Sequence, residues 1–441
     1  MKDEQERRTL GRTVPLKACG CPDYQRTARF SRRTFLKGAA ATGVLAGLAG
    51  TEMLSAQLAF ADSSYTGDVL VLLSLRGGMD GVNVIVPAGD PDYLMMRPNI
   101  GLQQGALIQL DQMFGMHQAM APLKPFYDAG TFGAVHAAGQ PQPNRSHFEA
   151  MEEMERAAPG TSLRTGWIDR VLGGRAGGTA FQAMQIASGM PASMFRGPAA
   201  ELAIYSVDSF GLDVAWDVDE LARWDAALRG VYTGASDVLL GPATTTLDAL
   251  ATMQTLKDAG YAPENGAVYP DTDLGRAFSD LARLIKAGVG LQVAAIDYGD
   301  WDMHEGMGGP DSGWLHDHLT ELSGTLAAFA TDMGPTGMNG VTLATLTEFG
   351  RCVGENGSGG CDHGYGQAVL LLGGGVKGGQ VHGQWPGCAM ENLVDEMDLD
   401  VTTDYRAILA EILEKRCGAG SMSDVFPGLG SDRPGVVNQK V

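Results

Sequence analysis

The distribution of apolar residues along the chain predicts alternating strands and helices. Short, continuous apolar runs, which are typical of buried parallel strands, occur at residues 68–75, 132–138, 181–187, 293–298, 341–347 and 368–372. Apolar residues three and four positions apart, which are typical of helices, occur at 148–157, 247–259, 272–287, 315–332 and 403–415. This alternation predicts an α/β fold, a three-layer sandwich with a mostly parallel central sheet.

The first 61 residues differ from the rest and have the three-part form of an export signal. They contain the pair Arg32-Arg33, a small-residue apolar run at 38–50 and the cleavage-site pattern Ala59-Phe60-Ala61. The apolar run is shorter than the roughly 20 residues that a spanning helix needs. We therefore predict a removable signal at 1–61 and a periplasmic, cell-surface or secreted protein without a stable transmembrane anchor. The alternative is a chance arginine pair before a core helix.

The remaining chain, residues 62–441, fits one large α/β domain, because neither an internal repeat nor a linker-like run rich in Pro and Ser divides it. The segment near residues 212–246 is predicted to be an insertion or cap. Four of the six cysteines lie in this domain, and an even number in an exported protein permits disulfides. The pairing of Cys352, Cys361, Cys388 and Cys417 stays open.

Charge is also distributed unevenly. The chain has 32 Lys plus Arg and 52 Asp plus Glu, a formal charge of −20. Residues 1–61 contain ten basic and five acidic residues, which leaves 22 basic and 47 acidic residues in the mature domain. Nucleic-acid binders concentrate Lys and Arg to displace phosphate counterions, so the acidic mature domain argues against a nucleic-acid partner.

Side chains suited to metal binding follow most of the predicted strands. Because ligands bind beyond the carboxyl ends of the strands in such sheets, we expect these side chains to share one site. Asp and His suit Zn²⁺ or Mn²⁺ better than Ca²⁺, and two ions about 4 Å apart would serve an in-line displacement. The alternative for each residue is a capping or loop-bracing role. The candidate ligands are Asp80, Asp302, His304, Glu348, Asp362 and His363.

Ser146 has both a structural and a chemical interpretation. With Glu149 it fits the Ser-x-x-Glu capping box at the start of the predicted helix 148–157. A serine at a helix N-terminus is also a well-placed nucleophile, because the backbone N–H groups and the helix dipole favour an anionic ester. Arg145 beside it is a candidate for binding phosphate or sulfate oxygens in a bidentate manner.

Five motifs, taken in order, resemble a large bacterial family of exported proteins filed as a domain of unknown function (number 1501). The motifs are Leu-Arg-Gly-Gly-Met-Asp-Gly-Val-Asn at 75–83, Pro-Asn-Arg-Ser-His-Phe-Glu at 143–149, Asp-Trp-Asp-Met-His at 300–304, Thr-Glu-Phe-Gly-Arg at 347–351 and Cys-Asp-His-Gly at 361–364. The resemblance runs from about residue 68 to 427. Arg-Arg followed by Phe-Leu-Lys is similar to a twin-arginine signal, which members commonly carry and whose translocase exports folded proteins.

The family is placed by fold similarity with the alkaline phosphatase and sulfatase superfamily of metal-dependent ester hydrolases. Three features depart from the superfamily. Phe349 follows Glu348 where Asp-His is usual, the spacing from Asp302 to His304 is short, and Pro141 takes the nucleophile position of the sulfatase signature. The resemblance implies a nucleophile at Ser146 and metal ligands at Asp80, Asp302, His304, Glu348 and His363.

The sequence thus predicts an exported metal-dependent hydrolase of phosphate esters, in preference to sulfate esters, that acts on a small ester or a polysaccharide. Two other functions stay open. A non-catalytic secreted or cell-surface binding protein would keep the fold, and the missing histidine after Glu348 favours it. A twin-arginine redox enzyme would need a coloured cofactor.

Overall fold

A computed structural model of the protein describes residues 65–173, 179–199, 201–211 and 218–440. The predicted signal at 1–61 lies outside the described residues, as do positions 212–217 of the predicted insertion. Within the described ranges, no helix is both long and apolar enough to cross a lipid bilayer.

Twelve strands form within the described residues. They are β1 Val69–Leu75, β2 Ile85–Val86, β3 Leu107–Gln109, β4 Gly115–His117, β5 Phe132–Gly139, β6 Ala183–Ile186, β7 Leu202–Ile204, β8 Val293–Tyr298, β9 Val341–Leu346, β10 Gln367–Gly373, β11 Val381–His382 and β12 Thr403–Asp404. Each of the six predicted apolar runs contains or overlaps one of the longer strands.

Eleven α-helices accompany these strands in the same ranges. They are α1 Gly81–Val84, α2 Tyr93–Met96, α3 Lys124–Asp128, α4 His147–Arg156, α5 Trp167–Gly173, α6 Val218–Tyr232, α7 Asp237–Ala259, α8 Asp273–Lys286, α9 Trp314–Met338, α10 Tyr405–Lys415 and α11 Met422–Val425. All five predicted helices are present. The last ten positions of the predicted insertion, 237–246, fall in helix α7, and Arg229 of α6 pairs with Asp248 of α7.

Nine strands make the central sheet, in the order β11-β5-β10-β9-β1-β8-β6-β7, with β12 paired to β5. The run β9-β1-β8-β6-β7 is parallel throughout. Strand β10 is antiparallel to both of its neighbours. The prediction of a mostly parallel α/β sheet is therefore confirmed, in a mixed form. The chain between β9 and β10 holds no helix, in keeping with an antiparallel return, whereas parallel neighbours are usually joined through a crossover helix.

Helices cover both faces of this sheet. Along β1, Leu70 and Leu72 pack into one hydrophobic cluster and Val71 and Leu73 into another, as the two-residue period of a strand requires. The first cluster includes buried residues of α4, α5 and α10, and the second includes buried residues of α8 and α9. Because both faces are buried, the central strands are apolar without interruption.

Helix α8 illustrates how the local sequence determines where a helix begins, which face it buries and where it ends. Thr272 is its N-cap, and its hydroxyl accepts a hydrogen bond from the Gly275 N–H at 3.1 Å. Leu274, Phe278 and Leu281 recur at helical spacing and are buried against the sheet. The helix stops at Lys286, two residues before Gly288 with its left-handed φ of +66°.

Candidate metal centre at the strand ends

The loops that follow β1, β8 and β9 meet at one edge of the sheet, because these three parallel strands are neighbours. The side chains of Asp302, His304 and His363 come into contact there, and His147 at the start of α4 joins them. We call these four residues the strand-end centre.

Two glycines allow the loops to approach closely. A side chain at Gly77, whose φ is +118°, would place its Cβ 2.6 Å from the backbone nitrogen of Asp302. A Cβ at Gly360 would lie 2.4 Å from the carbonyl carbon of His304. Any larger residue at either position would push apart the loops that carry the centre.

Asp302 is the hub of the strand-end centre. Its Oδ1 accepts a hydrogen bond from Arg351 Nη2 at 2.7 Å and lies 3.0 Å from His304 Nε2 and 3.1 Å from His363 Nε2. Burial raises the pKa of Asp302, but its contact with His147 and the charge of Arg351 act in the opposite direction, and this pKa lies far below its usual value. Asp302 is therefore an ionised carboxylate at any physiological pH.

The two histidines beside it are held in a defined tautomer. His304 Nδ1 lies 2.9 Å from Asp362 Oδ1, and His363 Nδ1 lies 2.8 Å from the backbone carbonyl oxygen of Arg145. Both partners are oxygens that only accept, so both Nδ1 atoms carry the proton. A neutral imidazole then has its lone pair on Nε2. The two Nε2 atoms are only 2.9 Å apart, and both face Asp302 Oδ1.

Three acceptors therefore face one another at a single point. Two lone pairs and a carboxylate oxygen repel unless a cation or an additional proton lies between them. Ligand histidines characteristically donate their other ring N–H to a carboxylate or a carbonyl, which is the arrangement found here. The chemistry of the donor set therefore fits a divalent cation.

His147 adds a third nitrogen, and a fourth donor atom, to the centre. Its Nδ1 lies 2.7 Å from Glu348 Oε1, and its Nε2 lies 3.5 Å from Asp302 Oδ2, which is long for a hydrogen bond. Burial lowers the pKa of His147, but its contacts with Asp302 and Glu348 raise it to about 9. One ligand atom each from His147, Asp302 and His363 all lie within 4.8 Å of one another.

The spacing of these atoms can be compared with that of a bound ion. Zinc–nitrogen bonds of about 2.0–2.1 Å in a tetrahedral site place neighbouring nitrogens about 3.3 Å apart. The Nε2 atoms of His304 and His363 are 2.9 Å apart, so they need to separate by only a few tenths of an ångström. Imidazole and carboxylate ligands suit Zn²⁺ or Mn²⁺ better than Ca²⁺.

Arg351 ties the loops together beneath the centre. Its guanidinium is buried and donates to the carbonyl oxygens of Gly78 at 2.6 Å, Cys361 at 3.1 Å and Trp301 at 3.1 Å, and to that of Gly77. These carbonyls belong to three different loops. Arg351 thus fixes the position of Asp302 relative to β1 and to the 361–364 loop.

The other predicted ligands have protein partners. Asp80 forms a buried, two-point ion pair with Arg97. Glu348 accepts from the Gly77 N–H at 2.9 Å in addition to its contact with His147. Asp362 is largely exposed and orients His304. In this arrangement Glu348 and Asp362 support histidines of the centre.

The predicted catalytic pair, Arg145 and Ser146, lies beside the centre. The Arg145 guanidinium pairs with the buried carboxylate of Asp398 and lies 5.0 Å from the ring centre of Tyr365. Its backbone carbonyl, in contrast, orients His363. The guanidinium is thus already engaged.

Ser146 is the N-cap of α4, with extended backbone angles of −98° and 118°. Its side chain makes no capping hydrogen bond to the described residues, so the capping-box prediction is wrong in that respect. Its N–H donates to Asn144 Oδ1 at 2.9 Å instead. The half-buried hydroxyl is therefore not committed to holding the helix end.

Two important residues, His147 and Arg351, did not emerge from the sequence. His147 follows Ser146 directly, and Arg351 closes the Thr-Glu-Phe-Gly-Arg motif. For His147 the sequence did contain a signal, because this histidine directly follows Ser146, the candidate nucleophile at the start of a predicted helix. Arg351 had none, because only the fold reveals which carbonyls its guanidinium meets.

The cysteines near the centre are thiols. Cys352, Cys361, Cys388 and Cys417 form no disulfide within the described part of the chain. Burial raises the pKa of both Cys352 and Cys361, that of Cys361 to about 12. Neither is a nucleophilic thiolate at neutral pH.

A family model covers the part of the chain that carries the strand-end centre. A family model described as "Protein of unknown function (DUF1501)" matches residues 129–426. The chain belongs to this family. All four residues of the strand-end centre lie inside the DUF1501 match, whereas Asp80 and Arg97 precede it. No curated protein matches the sequence.

Proposed function

We propose that the protein is an exported, metal-dependent hydrolase of phosphate esters. The observation that carries the proposal is the convergence of His304 Nε2, His363 Nε2 and Asp302 Oδ1 within 3.1 Å of one another. Acceptors arranged in this way repel one another unless a cation or an additional proton lies between them, and we propose that a divalent cation fills this place. A strand-end site on a mostly parallel sheet also supports the proposed kinship with the alkaline phosphatase and sulfatase superfamily.

The centre's side chains would hold one divalent cation, Zn²⁺ or Mn²⁺, through Asp302, His304 and His363, with His147 as a fourth ligand. Such an ion supplies Lewis-acid polarisation of a phosphoryl oxygen and lowers the pKa of a bound hydroxyl. Glu348 and Asp362 orient the two histidines that they contact.

Ser146 is the proposed nucleophile. Its hydroxyl makes no capping bond and stands at the N-terminus of α4, a ten-residue helix whose first residue is His147. The positive end of the helix dipole and the first backbone N–H groups stabilise an anionic ester there. Attack by Oγ on phosphorus would expel the alcohol and leave a phosphoserine, which water then hydrolyses.

The test combines metal analysis with hydrolysis of an aryl phosphate by the purified mature protein. We expect Zn or Mn to co-purify, and we expect Ser146→Ala to abolish turnover while the metal content stays unchanged. Ser236→Ala is the matched control, because Ser236 is likewise an N-cap without a side-chain capping bond. Metal-free protein, or equal activity in Ser146→Ala, would refute the proposal.

One observation favours the alternative of a non-catalytic, secreted or cell-surface binding protein. Arg145, the predicted anion-binding residue, is paired with Asp398 and therefore has little capacity for a substrate phosphate. A metal-loaded protein that binds wall polysaccharide but turns over no aryl ester would support this function. We also propose export through the twin-arginine translocase, which loss of export in an Arg32→Lys, Arg33→Lys variant would test.

A further inference from the structure

The number of cations that the strand-end centre can hold depends on whether carboxylates outside it are available as ligands. The inference rests on the proposed function, which gives the centre a divalent cation. The sequence offers six candidate ligands, enough for a pair of ions. We infer that the centre takes a single divalent cation, because the carboxylates that a second cation would need already bind protein groups, chiefly Asp80, which is neutralised by Arg97.

The pair of Arg97 and Asp80 has two-point geometry. Arg97 Nη1 donates to Asp80 Oδ2 at 2.5 Å, and Nη2 donates to Oδ1 at 2.9 Å. Both side chains are essentially inaccessible to solvent, with 0% and 1% exposed. Both carboxylate oxygens therefore already have a cationic partner, in the geometry that carboxylates prefer.

Arg97 cannot readily move aside for a metal ion. Its Nε donates to the Val353 carbonyl at 2.6 Å, and Nη2 donates also to the Cys352 carbonyl at 3.0 Å. A cation bound to Asp80 would leave this guanidinium buried without its counter-charge, which is strongly unfavourable. Arg97 thus acts as a permanent substitute for a second ion.

The remaining carboxylates are also engaged. Glu348 contacts His147 and accepts from the Gly77 N–H, and Asp362 contacts His304 and accepts from Asn356 Nδ2 at 3.1 Å. Each of these two carboxylates orients a histidine that is a proposed ligand of the first cation. Recruiting either to a second ion would disrupt the first site.

The decisive measurement is the metal content per chain. Apo protein is titrated with Zn²⁺ by calorimetry, and bound metal is then quantified by elemental analysis. We expect one equivalent in the wild type, one in Asp80→Asn and none in Asp302→Asn. Asp332→Asn is the matched control, since Asp332 is another fully buried aspartate with a cationic partner but lies outside the centre. It should retain one equivalent.

A second readout does not depend on any variant folding. The electron paramagnetic resonance spectrum of Mn²⁺-loaded wild type should show isolated ions, without exchange coupling between pairs. Two equivalents in the wild type that fall to one in Asp80→Asn, or coupled Mn²⁺ spectra, would overturn the inference and leave the proposed function standing. A wild type that binds no metal would overturn both.

Discussion

The clusters around Asp332 and Asp302 are both built on an aspartate, and they differ in how its partners are arranged. In the cluster around Asp332, on α9, the carboxylate accepts from Tyr261 at 2.6 Å, Tyr269 at 2.8 Å and Lys286 at 2.6 Å. The Glu264 N–H donates at 2.7 Å as well. Every contact in this cluster pairs a donor with an acceptor.

The strand-end centre breaks that rule. Asp302 has one strong donor, Arg351, whereas the Nε2 atoms of His304 and His363 face it and each other as acceptors. Complementary donors and acceptors stabilise a fold by themselves, as in the Asp332 cluster. Acceptors that face acceptors require an additional cation or proton. The Asp332 cluster is thus complete without a ligand, whereas the strand-end centre is a candidate site for a cation.

The largest expected effect is on metal binding at the hub. Asp302→Asn removes the negative charge of the carboxylate that both Nε2 atoms face and replaces one of its oxygens by an amide nitrogen. We expect Zn²⁺ affinity to fall by more than the roughly 100-fold upper limit for loss of an outer partner. Calorimetric titration measures the change. Affinity within threefold of the wild type would place the ion elsewhere.

A smaller loss of affinity is expected from the orienting partner of His304. Asp362→Asn weakens the acceptor that fixes the tautomer, so Zn²⁺ affinity should drop about 10- to 100-fold. Because 60% of the Asp362 side chain is exposed, stability should hardly change. Asp317→Asn is the control, since Asp317 makes the same kind of contact to His316 at 3.1 Å and is also exposed. An equal effect of both substitutions would contradict an orienting role.

Substitution in the Asp332 cluster should change the stability of the fold and leave metal binding unchanged. Asp332→Asn leaves buried donors less well matched, which should lower the free energy of unfolding by about 1–3 kcal/mol. Metal affinity should be unchanged. Urea denaturation of the metal-free protein measures the first quantity and calorimetry the second. A weakened metal site in this variant would mean that the two clusters are coupled.

The smallest effect is the acid dependence of that cluster. Burial raises the pKa of Asp332, but hydrogen bonds from Lys286 and Tyr261 and other donors hold it below its usual value. A carboxylate with a lowered folded-state pKa stabilises the fold above its unfolded-state pKa, about 3.9, and this stabilisation is lost as the pH falls further. The difference in urea midpoint between wild type and Asp332→Asn should therefore shrink below pH 4. A constant difference from pH 3 to 6 would contradict the assignment.

The sequence predicted the long strands and helices well because their apolar periodicity is a local property. The runs at 293–298 and 341–347 became β8 and β9 almost residue for residue. The direction of β10 was not predictable in the same way, because an apolar run looks the same in a parallel and in an antiparallel buried strand. Direction depends on the chain path between strands.

Only part of the candidate site could be predicted from the sequence. Strand-end reasoning selected Asp302, His304 and His363, because parallel neighbours bring their carboxyl ends to one edge. It also selected Asp80, although the structure gives that carboxylate to Arg97, 17 residues away in sequence. It passed over His147, which reaches Glu348 across 201 residues. Spacing along the chain carries no signal for such distant pairs.

By itself, the sequence determined the α/β class, the order of six strands and five helices, and the presence of Asp and His after the central strands. These follow from hydrophobic burial and from the short range of helix and strand periodicity. Only the tertiary structure decided which carboxylates are neutralised by arginine and which histidine nitrogens face Asp302. The reason is physical, since hydrogen bonds and ion pairs act over about 3 Å in space, whereas their partners lie tens to hundreds of residues apart in the chain.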